Sequence, residues 1–297
     1  MKKESVANGW YKGYTPWLFL FPTVIGLAVF RLIPIGASFF LGFTDWNLLS
    51  KPVFNGLNNY KELFSDSEFI GIIGNTIQFS VLYVLGSMLF GLLLALLIDV
   101  KMHGIGFFRA CIYLPVITSA VAVGIVWNWL LGPGFGLVNI AIEAIGLTPP
   151  YWLSDAKYAL NTVTFVQVWK MSGYYMILFL AGLQTLPKET LEAARVDGAS
   201  PLQTFFRVKL PLFSPTMFFV LTVTIIDSFK NFELIYAMTK GGPQNATNTL
   251  VYDVYLNAFA YYRVGFASAI SLVLFVFVGA MTLFNFYVKK YWANPWE

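Results

Sequence analysis

Two stretches, residues 81–98 and 267–288, run for about the width of a bilayer, roughly 20 residues, without a Lys, Arg, Asp or Glu. A water-soluble domain averages roughly 25% charged residues, whereas this 297-residue chain is 11% charged, 58% hydrophobic and 18% aromatic. Water offers no place to bury so much apolar surface, so the chain reads as a polytopic membrane protein. Hydropathy predicts six spans, at about residues 17–43, 75–99, 107–131, 159–183, 212–238 and 265–287. The runs are continuous and lack the alternation of a barrel wall, so the expected fold class is all-α with six transmembrane helices. Pro22 and Pro34 predict kinks or an irregular end in the first span.

The net charge of +4 is not a nucleic-acid signal, because the basic residues lie in short connections. One side carries Lys2, Lys3, Lys12, Lys101, Arg109, Lys188, Arg195, Arg207, Lys209, Lys289 and Lys290. The other carries Lys51, Lys61, Lys157, Lys240 and Arg263. The excess predicts that both termini and the loop at 184–211 are cytoplasmic. The expected organisation is a cytoplasmic segment at 1–16, one transmembrane unit at 17–290 and a cytoplasmic tail at 291–297. The polar stretch after Met1-Lys2-Lys3 gives no expectation of a cleavable signal peptide. Connections at 44–74, 132–136 and 241–249 are rich in Gly, Pro and Asn and read as external loops.

Several chemistries are excluded. A lone Cys111 allows no internal disulfide, and a lone His103 cannot build a metal site. Cys111 reads as a small buried apolar residue and His103 as a solvated loop residue. No Ser-His-Asp, Cys-His or paired-carboxylate arrangement can be drawn, and the Gly-rich pieces lack phosphate-loop spacing. No enzyme activity and no cofactor is expected on this chain.

Ionisable residues inside spans are costly and become functional candidates. In the fourth span Gln167, Lys170, Met171 and Tyr174 fall on one helical face. In the fifth, Thr224, Ser228 and Asn231 share a face, with Asp227, Lys230 and Glu233 beside it. Asp227 and Lys230 have two readings, an internal pair or a ligand contact. The amides, hydroxyls and aromatic rings suit a cavity for a polyhydroxylated ligand. Trp127, Trp129 and Trp169 fit either ring stacking or an interfacial belt, the belt being preferred for the first two. Arg31, near mid-span, reads as paired or water-lining. An alternative function is an ion-coupled secondary transporter using Lys170, Asp227 and Glu233 as a charge relay.

Residues 192–211, EAARVDGASPLQTFFRVKLP, form a charged connection between two long apolar runs. Pro187, Glu189 and Glu192 suit a helix start, and Asp197-Gly198 a helix stop. Glu192-Ala193-Ala194, then Asp197-Gly198-Ala199, then Val208, Leu210 and Pro211 resemble the cytoplasmic coupling motif of ATP-binding-cassette importer permeases. Leu114-Pro115, Gly134-Phe135-Gly136 with Asn139, and 238–243 with Thr249 are similar to the carbohydrate-uptake branch, the maltose and glycerol-3-phosphate permease type.

The resemblance implies a type I importer permease fold and import of an oligosaccharide or related sugar across a bacterial or archaeal plasma membrane. The implied partners are a second homologous permease, two ATPase subunits that carry ATP and Mg, and an extracytoplasmic solute-binding protein. It assigns ATPase coupling to Glu192, Ala193, Ala194, Asp197, Gly198, Leu210 and Pro211. Sugar contacts are placed on or beside Gln167, Lys170, Met171, Tyr174, Ser228 and Asn231. Lys170, Asp227, Lys230 and Glu233 make this cavity more charged than a neutral-sugar lining.

Overall fold

Proline and glycine positions set most helix breaks in the computed structural model, which describes residues 15–100 and 102–292. The expected N-terminal segment and tail, with Lys2, Lys3 and Lys12, lie almost wholly outside that range, as does Lys101. The first span comprises α1 (Thr15–Leu27), a π-helical turn (Ala28–Leu32) and α2 (Ile33–Leu41). Pro34 has no N–H for an ordinary i to i−4 bond, and the wider turn before it accommodates the gap. Arg31 sits in that turn, exposed and without a partner among the described residues, so of the two expected roles the paired one is not found there.

After α2 the chain is more ordered than a turn-rich loop. Strand β1 (Thr44–Asp45) pairs antiparallel with β2 (Val53–Phe54), and α3 (Asn58–Ser65) follows. Buried Asn59 donates from Nδ2 to the carbonyls of Gly42 at 3.0 Å and Thr44 at 2.9 Å, fixing this piece to the span end. Helix α4 (Ser67–Ile98) starts well before the expected residue 75, because Asp66 caps it by accepting from the Glu68 N–H.

The expected third span is two helices, α5 (Ile105–Ile117) and α6 (Ala120–Leu130), bent by 96°. Short α7 (Leu137–Ala144) precedes α8 (Ala156–Gln184), which corresponds to the fourth span. The connection beyond holds α9 (Lys188–Val196), α10 (Pro201–Thr204) and a π-helical turn (Phe205–Lys209), and leads into α11 (Leu210–Ser228). The fifth span ends there, earlier than the expected residue 238, and α12 (Glu233–Met238) is a separate turn of helix. Helix α13 (Leu250–Tyr255) and a π-helical turn (Leu256–Ala260) precede α14 (Val264–Trp292).

Among the described residues, four helical stretches are long and apolar enough to cross a membrane, five if the bent α5–α6 pair is one span. Helix α8 is long enough at 29 residues but more polar than these, since it carries the candidate site residues. The core lies where α8 packs on α4. A Cβ at Gly86 would stand 2.9 Å from the Val168 side chain, and one at Gly91 would stand 2.7 Å from Tyr175 Cβ. Small residues of this kind let helices approach closely in a setting where dispersion and hydrogen bonds drive association. Phe79, Tyr83, Val163, Val166, Tyr175, Met176 and Phe179 fill the seam and are buried.

Candidate functional site

A cavity of about 340 Å³ opens at the junction of α4, α8, α11 and α12, bordered also by the first residue of α6. Gln167, Lys170 and Met171 reach it from α8, Asp227 from the end of α11, and Lys230 and Asn231 from the break that follows. Glu233 opens α12 at the same rim. The structure therefore brings together Gln167, Lys170, Met171, Asp227 and Asn231, which sequence reasoning had placed on separate spans.

Two expected members lie elsewhere. Ser228 is buried, donates from Oγ to the Ile225 carbonyl at 2.7 Å, and borders an apolar groove with Val81 and Leu85 of α4. One residue is about 100° of helix rotation, enough for Asp227 to border the polar cavity and Ser228 the apolar groove. Tyr174 packs its ring on Tyr175 with centroids 5.3 Å apart, and it joins the apolar seam rather than the cavity wall.

Sequence reasoning missed Tyr83 and Tyr175. Their hydroxyls lie 2.9 Å apart in the core, and Tyr175 OH donates to Asp227 Oδ2 at 3.3 Å. Asp227 Oδ1 also pairs with Lys230 Nζ at 3.5 Å. The carboxylate is thus held from both sides, by a neutral donor in the core and by a largely exposed ammonium at the rim. A Tyr within an aromatic run looks like core, so its hydroxyl contact was invisible without the packing.

Lys170 is buried too, and its Nζ donates to the carbonyls of Pro115 at 3.2 Å and Val116 at 3.0 Å. Trp127 and Trp169 stack edge to face with centroids 5.5 Å apart, away from this cavity. Cys111 is exposed rather than buried; it borders an apolar groove between α5 and α8 that this chain leaves open.

The second candidate site is the α9 connection. Helix α9 has no buried residue, and Glu192 and Ala193 are exposed. Its end is a Schellman motif: Gly198 has φ +79°, its N–H donates to Arg195 O at 3.1 Å, and the Ala199 N–H donates to Ala194 O at 3.0 Å. Ser200 and Gln203 then form a capping box that starts α10. Lys209 pairs with Asp99 at 3.4 Å, so the connection is tied to the end of α4. Leu210 and Pro211 are half-buried at the start of α11.

Residues 87–291 match the family described as binding-protein-dependent transport system inner membrane component. The chain belongs to this family. The permease is 35% identical, over 99% of its length and 95% of the relative, to a probable ABC transporter permease, YesP, of Bacillus subtilis (strain 168). It is 34% identical to the multiple sugar-binding transport system permease MsmF of Streptococcus mutans serotype c, over 93% of its length and 96% of the relative. Among solved structures it is similar in fold to a chain of a bacterial alginate ABC transporter in complex with an alginate-bound periplasmic protein. The TM-score is 0.83 at 24% identity, with 97% and 98% of the two chains covered. The permease is accordingly a multi-pass membrane protein, and its all-α fold is that of ABC importer permeases.

At the end of the permease opposite α9, the loop before α13 docks on the start of α4. Asn75 Nδ2 donates to the carbonyls of Asn245 at 2.9 Å and Asn248 at 3.0 Å. Asp253 lies under this loop, and burial pushes its carboxyl up to about 6, helped by Glu68 and Asp66 and opposed by a hydrogen bond from Asn248.

Proposed function

We propose that this chain is the membrane-spanning permease subunit of an ATP-driven, binding-protein-dependent importer of a carbohydrate. The observation that carries the proposal is the polar cavity between α8 and α11, two helices joined through the exposed α9 connection. Gln167, Met171, Asp227 and Asn231 offer an amide pair, a thioether and an oriented carboxylate, a set suited to sugar hydroxyls and ring faces. The printed names of relatives, among them a multiple sugar-binding system, support a saccharide as cargo. The ion-coupled alternative finds no support in relatives named as ABC transporter permeases.

In this reading a second homologous permease completes the path, and two ATPase subunits hold ATP and Mg. A solute-binding protein delivers the sugar from outside. Both termini and α9 lie on the cytoplasmic side, where Glu192, Ala193, Ala194, Asp197 and Gly198 meet the ATPase. Closure of the ATPase pair favours one of two membrane arrangements through its contacts with α9, and Leu210 and Pro211 pass the displacement into α11. The test is an importer reconstituted with its partners and the sugar that its binding protein retains. Loaded binding protein is expected to stimulate ATP hydrolysis, and Gln167→Ala with Asn231→Ala to reduce uptake at least tenfold. Full uptake by the double variant would remove the cavity from the path.

A further inference from the structure

The α5–α6 elbow leaves a problem that Lys170 solves. A helix end leaves its last carbonyls without intrahelical partners, and at the C-terminus these carry the negative end of the helix dipole. At the end of α5, Thr118 Oγ1 donates to Leu114 O at 2.9 Å, while Lys170 Nζ takes the next two carbonyls, Pro115 and Val116. Water does this at a soluble surface. Here Lys170 is a buried residue, only 7% exposed, that arrives from a different helix and brings a charge complementary to the helix end.

Three residues further along α8, Gly173 faces the same helix. A Cβ there would run into the Ile112 carbonyl, so α8 and α5 touch backbone to backbone. Beyond the elbow, α6 packs on α12: a Cβ at Gly124 would stand 2.8 Å from Ala237 Cβ, and Asn128 Nδ2 donates to Ala237 O at 3.2 Å. Ala120 at the start of α6 and Glu233 at the start of α12 both border the cavity.

We infer that Lys170 is a positioning residue rather than a sugar contact: it pins the α5–α6 elbow to α8, so that displacement of α8 carries the α6–α12 wall of the cavity with it. This rests on the cavity being the sugar site. Two of the ammonium's three hydrogens go to carbonyls, which leaves little of it for a ligand, and the charge is spent on a helix end. Helix α8 is also the span that leads directly into α9. A movement begun at α9 therefore reaches the wall through a charge-assisted joint, which is stronger than a neutral hydrogen bond.

The experiment uses the assembled importer in vesicles with Cys111→Ser. Spin labels at Phe108→Cys on α5 and Val126→Cys on α6, both exposed positions, report the elbow with no sugar present. Lys170→Met is expected to shift or broaden the label distance, and Lys170→Arg to preserve it. Separately, Lys170→Cys is expected to lower ATP hydrolysis stimulated by loaded binding protein at least tenfold, with little change in the half-saturating concentration. Treating that same preparation with an aminoethyl methanethiosulfonate should restore most of the loss, and a neutral methyl reagent should not.

An unchanged label distance in Lys170→Met, together with a raised half-saturating concentration in Lys170→Cys, would overturn the pin and make Lys170 a ligand contact. A moved elbow with normal stimulated hydrolysis would also overturn it. Failure of the underlying cavity reading would show differently, as full uptake by the Gln167 and Asn231 double variant.

Discussion

Gly198→Val isolates the coupling connection from the bundle. At φ +79° a β-branched residue is strained by about 1–3 kcal/mol. A Cβ at this position meets nothing within 4 Å, so the strain is confined to the backbone and cannot be blamed on a clash. The two bonds that close α9, to Arg195 O and Ala194 O, are each worth about 0.5–1.5 kcal/mol net and together about match that strain. The closed and frayed ends of α9 become comparable in population, since 1–3 kcal/mol shifts an equilibrium roughly 5–150-fold. The assay is sugar uptake per ATP hydrolysed in reconstituted vesicles, with hydrogen exchange at residues 194–199 as the structural readout. With the closed end left at about half of the population, uptake per ATP is expected to fall about twofold or more while the thermal unfolding of the bundle is unchanged. Rapid exchange at 194–199 combined with normal uptake per ATP would refute the reasoning, because a frayed α9 would then still couple.

Other outcomes are equally specific. Gly173→Ala should destabilise the permease by about 1–3 kcal/mol or more in detergent melts, since its Cβ meets α5 backbone, while Gly71→Ala, with nothing within 4 Å, should be silent. Asn75→Ala should free the carbonyls of 245 and 248 and speed hydrogen exchange in the loop before α13, at a cost of about 1–3 kcal/mol. Asp253 holds its proton more tightly when buried than in the unfolded chain, with its carboxyl raised from 3.8 to about 6. Its stabilising contribution is therefore complete below the lower value and is lost as pH rises through the upper one, a change of about 3 kcal/mol. Exchange protection of 250–260 should fall over that window, and Asp253→Asn should abolish the dependence. Tyr175→Phe should weaken uptake by releasing Asp227 Oδ2, with the fold preserved.

The helical class and the polar faces were legible because they depend on side-chain type and helical spacing alone. The charge-free runs marked α4 and α14, and the polar residues of α8 were read onto one face before any packing was known. Breaks were less legible. Pro115 marks α5 only as kinked, and the 96° turn requires a buried cation from α8 to satisfy the exposed carbonyls, a contact 54 and 55 residues away in sequence. Ser228 failed as a cavity residue for a similar reason. Spacing puts it on a face with Asn231, but α11 ends at Ser228 and the chain turns, so the periodicity does not carry across the break. Gly198 was legible as a stop, since a left-handed end is a local matter.

The most direct measurement is cysteine alkylation in the assembled importer with Cys111→Ser, comparing Asn231→Cys, Gln167→Cys and Ser228→Cys. Sugar-loaded binding protein with ATP should protect the first two from a small water-soluble reagent and leave the third unaffected, because only the first two border the cavity. Equal protection at all three, or none at 167 and 231, would contradict the assignment of this cavity to the sugar path.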